Sequence, residues 1–287
     1  SYVVYAKEHN LYRMDWENYQ KALEDEKDST LVEVQLTEDG EEYFSYSANG
    51  TGRGKTNADE PKERERVWVT WSPKGDAFTL ERTDYREVDD LWVINSVANP
   101  RPTLETYKYH MPGESNAPKE MVHLFTDQGD KKVDLELEAF KDQTLSVLAS
   151  PSKPSSRDDK RRFRTWLDPT GKFVYLYRTS RDLKRIDLVR VELVSGEDEV
   201  VIEERLNTYV ETRNPYLLQT GEIIFWSERD GWAHFYLYDG EGNLVRQITK
   251  GPWHCESVVH VDEVNRVLFF EANGREAGED PYYQHLY

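Results

Sequence analysis

The sequence predicts an all-β fold, a β-propeller assembled from repeated four-stranded blades, and three observations point there. Aromatic residues make up 13% of the chain, a bias that favours strands over helices. Runs of apolar and β-branched residues bounded by Gly, Asp, Asn and Pro recur from end to end, while stretches of good helix formers are few. A strand-turn-strand unit returns along the chain, and its last three copies lie about 45 to 50 residues apart, the length of one four-stranded blade.

The first copy is the alternating run Val3-Val4-Tyr5-Ala6, which passes through His9-Asn10 into Leu11-Tyr12-Arg13-Met14 as two strands joined by a tight turn. The second joins Ala77-Phe78-Thr79-Leu80 to Leu91-Trp92-Val93-Ile94, and the third joins Phe173-Val174-Tyr175-Leu176 to Leu188-Val189-Arg190-Val191. Ile223-Ile224-Phe225-Trp226 leads to Phe235-Tyr236-Leu237-Tyr238, and Val267-Leu268-Phe269-Phe270 leads to His285-Leu286-Tyr287. Two copies open on turns with a mechanism, Ser72-Pro73-Lys74-Gly75 and Asp168-Pro169-Thr170-Gly171, where Pro sets φ and Gly tolerates a positive value. A third, Leu218-Gln219-Thr220-Gly221, keeps the Gly. Residues 97–120, rich in Pro, Asn and Gly, read as an insertion before the blade resumes at Met121-Val122-His123-Leu124-Phe125. Residues 150–162 read as an exposed connector within the domain.

At 287 residues the chain has room for one large all-β domain. A net charge of −18 spread along it argues against a nucleic-acid or anionic-membrane surface. Cys255 is the one cysteine, so no internal disulfide forms. No stretch reads as a signal peptide or a membrane span. Because the chain starts and stops inside strand-like runs, we expect a trimmed or processed piece of a longer protein.

The run Trp226-Ser227-Glu228-Arg229-Asp230-Gly231-Trp232-Ala233-His234-Phe235-Tyr236-Leu237-Tyr238-Asp239, followed by Gln247-Ile248-Thr249-Lys250-Gly251-Pro252-Trp253, closely resembles a propeller segment of dipeptidyl peptidase IV-type serine peptidases of the prolyl oligopeptidase family. Tyr107-Lys108-Tyr109-His110-Met111-Pro112-Gly113-Glu114-Ser115-Asn116-Ala117-Pro118 resembles an insertion of that family, and Trp71-Ser72-Pro73 its usual blade opening. The resemblance implies an eight-bladed propeller capping an α/β-hydrolase domain. This chain would then be about five central blades over residues 1–287, an incomplete propeller without the catalytic domain. It further implies a substrate-gating role for peptides, no cofactor, a homodimer in the full-length parent and a periplasmic or extracellular location. Within the motif, Gly231 supplies a backbone conformation closed to other residues, and Trp226, Trp232 and Phe235 are expected to pack between neighbouring blades.

Hydrolysis by this family needs a Gly-x-Ser-x-Gly elbow with an Asp and a His later in the chain. Ser195 and Ser257 lack flanking glycines on both sides, so the chain itself is expected to be catalytically silent. Exopeptidase members place adjacent glutamates, in a Trp-x-Tyr-Glu-Glu type motif, where they hold the substrate's charged amino terminus. Here the corresponding stretch is Asn57-Ala58-Asp59-Glu60-Pro61-Lys62-Glu63-Arg64-Glu65-Arg66-Val67-Trp68, without adjacent glutamates. If extended, it sets Glu63 and Glu65 on one face and Arg64 and Arg66 on the other: a carboxylate pair for substrate, or a solvated strand with cross-strand ion pairs. The upstream Asn49-Gly50-Thr51-Gly52-Arg53-Gly54-Lys55 reads as a loop over the pore, without the flanks of a phosphate loop. Arg213, before Asn214-Pro215-Tyr216 at a blade start, is a candidate for a peptide carbonyl. His254, Cys255, Glu256 and His260 are zinc-type residues, but strand geometry sets Cys255 opposite the others, against a metal site.

A second class of function is a free-standing propeller that binds a protein or glycan through rim aromatics such as Trp16, Tyr43 and Trp253. A third is a five-bladed ring of glycosidase shape, for which no carboxylate spacing stands out.

Overall fold

The computed structural model describes residues 2–48, 64–151 and 164–287, and the regular elements among them are nearly all strands. In the first blade, β1 (Tyr2–Lys7) and β2 (Asn10–Asp15) pair antiparallel with Lys7 opposite Asn10. Their turn residues Glu8 and His9 take φ of 47° and 71°, the left-handed pair that matches hairpin twist. A helix α1 (Trp16–Glu24) follows, capped by Asp15, whose Oδ1 accepts the Asn18 amide at 2.8 Å. β3 (Val34–Gln35) completes the sheet against β2.

The second blade runs β4 (Val69–Trp71), β5 (Phe78–Asp84), then an outlying hairpin of β6 (Asp90–Asn95) and β7 (Thr103–Lys108), then β8 (Lys119–Thr126) and β9 (Lys131–Asp134). β5 pairs with β8, Phe78 opposite Phe125, and β6 pairs with β7 alone. This corrects the expected pairing of 77–80 with 91–94: Leu91-Trp92-Val93-Ile94 belongs to an arm inserted between β5 and β8. Trp92 is 72% and Ile94 69% exposed, so an apolar run that reads as a core strand lies on the surface.

Next in the chain come β10 (Thr144–Val147), β11 (Ala149–Pro151), β12 (Arg164–Trp166), β13 (Phe173–Thr179), β14 (Arg185–Glu192) and β15 (Asp198–Arg205), of which β10 and β13 to β15 build the third blade. Its sheet order is β10-β13-β14-β15, while the β11–β12 hairpin joins the second blade through a parallel pairing of β12 with β4. The stretch expected to be a plain connector is thus flanked by strands; residues 152–163 lie outside the described residues. β16 (Tyr216–Leu217), β17 (Ile223–Ser227), β18 (His234–Tyr238) and β19 (Leu244–Gln247) form the fourth blade, and β20 (His254–Asp262), β21 (Val267–Asn273) and β22 (Gln284–Leu286) the fifth. The blade-opening turns fold as expected, with Gly75 at φ 72° and Gly171 at φ 68°.

Between successive blades lies a shared core, and period-2 alternation assigns each side chain to one of two layers. In β17, Ile223 and Phe225 pack with Tyr175, Tyr177 and Leu188 of the third blade. Ile224 and Trp226 point the other way, onto Cys255, Phe270 and Ala272 of the fifth. Because both faces are covered, all five residues of β17 and all five of β18 are buried and the sequence reads as a continuous apolar run. Val122, Leu124, Val147 and Val174 join the second and third blades; Val4, Leu11, Phe78 and Phe125 join the first and second. Each such side chain contributes roughly 1.5–3 kcal/mol by leaving water.

Candidate functional site

The stretch around Glu65 is held by backbone pairing at one edge of β1. Ala6 and Glu65 exchange both N–H···O bonds, at 2.9 and 2.8 Å, so their side chains share a face. Arg64 falls on the opposite face, with Tyr5 and Lys7, and meets Glu33 from the segment between α1 and β3. Arg64 Nε donates to Glu33 Oε1 at 2.8 Å, the Tyr5 hydroxyl donates to the same oxygen at 2.6 Å, and Lys7 reaches Oε2 at 3.2 Å. A further Arg64 nitrogen donates to the Glu26 carbonyl at 2.8 Å. Burial pushes the Glu33 carboxyl up, but the hydrogen bonds from Tyr5, Arg64 and Lys7 outweigh it and hold it below the usual range. Burial, followed by the adjacent Glu33, raises the Tyr5 phenol.

Arg66 lays its guanidinium 3.7 Å over the exposed Trp68 ring. Both arginines of the stretch are therefore engaged, whereas the Glu65 carboxylate has no ion pair among the described residues. Glu63 and the glycine-rich residues 49–55 lie outside the described residues.

Arg213 precedes β16 and sits where three blades meet. Its carbonyl accepts the Tyr177 hydroxyl at 2.7 Å, and its guanidinium lies 4.9 Å over Trp226. The same guanidinium pairs with Glu211 and stands 3.6 Å from Glu256, whose other oxygen meets His254 Nε2 at 3.2 Å. Thus Arg213 is stacked and bound to carboxylates, with donors still open. Sequence reasoning missed Glu33, Glu211 and Trp226 as partners, because each is placed by tertiary folding and no local motif marks it.

The zinc-type residues separate. Cys255 turns into the core, its Sγ 3.2 Å from Thr249 Oγ1 and 3.7 Å from His234 Nδ1, and burial raises the thiol to about 11. His260 stacks on Phe269, and two bulges interrupt β20 between these positions. Among the described residues no three His, Cys, Asp or Glu side chains gather as a metal set. Ser195 donates to Glu192 and Ser257 to Glu271. Two aromatic assignments are corrected. Trp232 is 47% exposed in the β17–β18 turn and does not pack between blades; Trp253 is 9% exposed, covered by His234, Phe270 and Arg275, and presents no rim.

Antiparallel sheets stacked face to face in chain order, each sharing a core with the next, define a β-propeller domain. The chain belongs to the family described as the dipeptidyl peptidase IV N-terminal region, which matches residues 1–287. Its fold is that of the crystal structure of Porphyromonas gingivalis dipeptidyl peptidase 4, at a TM-score of 0.67 and 19% identity over 100% of this chain and 35% of that one. A putative dipeptidyl aminopeptidase IV structure from Bacteroides ovatus gives 0.62 and 20% over 95% and 35%. A probable dipeptidyl peptidase 4 of Trichophyton verrucosum is 24% identical over 160 residues, 53% of this chain and 19% of that protein. The dipeptidyl peptidase 4 of Arthroderma otae is 36% identical over 44 residues, 15% and 6%. The matched stretches cover about a third or less of these relatives. Among the described residues no helix is long and apolar enough to cross a membrane.

Proposed function

We propose that this chain is the non-catalytic, substrate-gating propeller of a dipeptidyl peptidase IV-like serine exopeptidase, with Glu65, together with Glu63, receiving the positively charged amino terminus of a peptide. The observation that carries the reading is the state of Glu65. It lies on a segment fixed by backbone bonds to β1, its neighbouring arginines are bound elsewhere, and its carboxylate has no ion pair among the described residues. A carboxylate so placed suits an ammonium group through charge-assisted hydrogen bonds. Arg213, stacked on Trp226 with donors to spare, serves a peptide carbonyl in the same scheme. Chemistry falls to a hydrolase domain carried by the parent protein.

The experiment is to read the coding sequence beyond the Tyr287 codon. A Gly-x-Ser-x-Gly elbow followed by Asp and His supports the assignment, and a stop codon shortly after Tyr287 contradicts it. The same reading includes a homodimer of the parent, for which the β6–β7 arm, with Trp92, Ile94 and Leu104 in solvent, offers the apolar surface.

A further inference from the structure

We propose that the cleft between the residues leading into β10 and the β13–β14 turn is a binding site for the carboxylate side chains of an acidic peptide segment, separate from the Glu65 and Arg213 positions. The cleft is a shallow depression open to solvent, lined by Lys141, Asp142, Arg181, Asp182 and Arg185.

At its base three guanidinium groups gather on one ring: Arg185 lies 4.7 Å, Arg205 5.4 Å and Arg178 5.8 Å from the centre of Phe140. Two of the three are neutralised. Arg178 binds Asp187 Oδ2 through two nitrogens at 3.0 and 2.8 Å, and Arg205 binds Oδ1 at 2.5 Å. Asp198 and Glu203 stand beside them at 3.9 and 3.4 Å. Arg185 differs: among the described residues its guanidinium has the Phe140 ring and no carboxylate within ion-pair distance. Lys141 has none either. Arg181 donates to His110 Nδ1 at 2.9 Å, an imidazole rather than a carboxylate.

The cleft also holds two acidic residues, Asp142 and Asp182. Asp182 is turned into its own loop, where Oδ1 accepts the Ser180 hydroxyl at 2.5 Å and the Lys184 amide at 3.2 Å. The lining thus carries three cations against two carboxylates, in a chain whose net charge is −18. Stacking on Phe140 holds the Arg185 fork in place before any ligand arrives, and a planar fork matches a carboxylate in two-bond geometry. The cations come from two separate loops, which suits singly charged carboxylates spaced along a peptide better than one compact phosphate dianion.

Fluorescence anisotropy of labelled hexaglutamate, with labelled hexaglutamine as the neutral control, tests the site on the full-length protein at low ionic strength. Hexaglutamate is expected to bind saturably and in a salt-sensitive manner, and hexaglutamine not to bind. The double variant Lys141→Gln with Arg185→Gln should weaken binding by about tenfold or more, whereas the exposed Arg246→Gln leaves it unchanged. Asp142→Asn, tolerated because Asp142 sits at φ 52° where Asn is at home, should strengthen it severalfold, a gain that misfolding cannot mimic. Equal binding by the double variant, no strengthening by Asp142→Asn, or displacement by inorganic phosphate at lower concentration than by unlabelled hexaglutamate overturns the proposal.

Discussion

Arg64 Nε and Glu33 Oε1 meet at 2.8 Å across 31 positions of sequence, and this contact fixes the segment on which Glu65 stands. Through Glu33 the helix-to-strand connection of the first blade, the strand β1 and the 64–66 stretch become one unit.

Removing the charge at Glu33 leaves Tyr5, Lys7 and Arg64 around a neutral amide. Glu33→Gln should destabilise the fold by about 1.5–3 kcal/mol, the range for a hydrogen bond to a charged group. Because the Glu33 carboxyl is held below its unfolded value, its contribution is complete above about pH 4.5 and is lost as pH falls through the folded value. Chemical denaturation at pH 7 and at a series of pH values below 4.5 checks this: the variant and the natural chain should differ at pH 7, and the difference should shrink as the pH falls.

His123 is buried, and its Nδ1 lies 2.5 Å from Asp134 Oδ1 while Nε2 has no hydrogen-bond partner among the described residues. Burial, followed by the positive charge of Lys132, depresses the imidazole to about 4. The unfolded chain therefore binds this proton at a higher pH than the folded one. Stability should be full above about pH 6.5 and fall by about 3 kcal/mol as pH drops to 4. His123→Gln should flatten that part of the profile, which thermal unfolding across the window would measure.

Phe225 is 3% exposed in the layer shared by the third and fourth blades. Phe225→Ala should cost about 3–5 kcal/mol, since a rigid two-sided layer cannot close over the void. Trp92→Ala, on the exposed arm, should leave stability within about 0.5 kcal/mol. The pair of variants, followed by urea titration, separates blade core from insertion.

If the arm joins two copies of the parent, Trp92→Ala combined with Ile94→Ala should shift the full-length protein from dimer to monomer in sedimentation, with catalytic rate per chain preserved. A dimer that survives the double variant places the contact elsewhere.

The blades were legible in the sequence where burial on both faces leaves a continuous apolar run, as in Ile223-Ile224-Phe225-Trp226, and where Pro and Gly mark the turn, as in Ser72-Pro73-Lys74-Gly75. The same signal misled at Leu91-Trp92-Val93-Ile94, because four consecutive apolar residues look alike in a core strand and in an exposed arm. Which aromatic of Trp232 and Trp253 is covered depends on Phe270, Tyr287 and Arg275, far along the chain, and no local pattern carries that. At the candidate site, the pairing of Glu65 with Ala6 sets it on the face opposite Arg64. The role of Glu33 was hidden, since only folding brings it to Arg64.

The central claim is that Glu65 holds a substrate's amino terminus, and the most direct measurement is steady-state kinetics of the full-length parent with Glu65→Gln on a chromogenic dipeptide bearing a free amino terminus. Loss of a charge-assisted bond of about 1.5–3 kcal/mol should raise KM by roughly 10- to 100-fold and change kcat little. An unchanged KM would contradict the account.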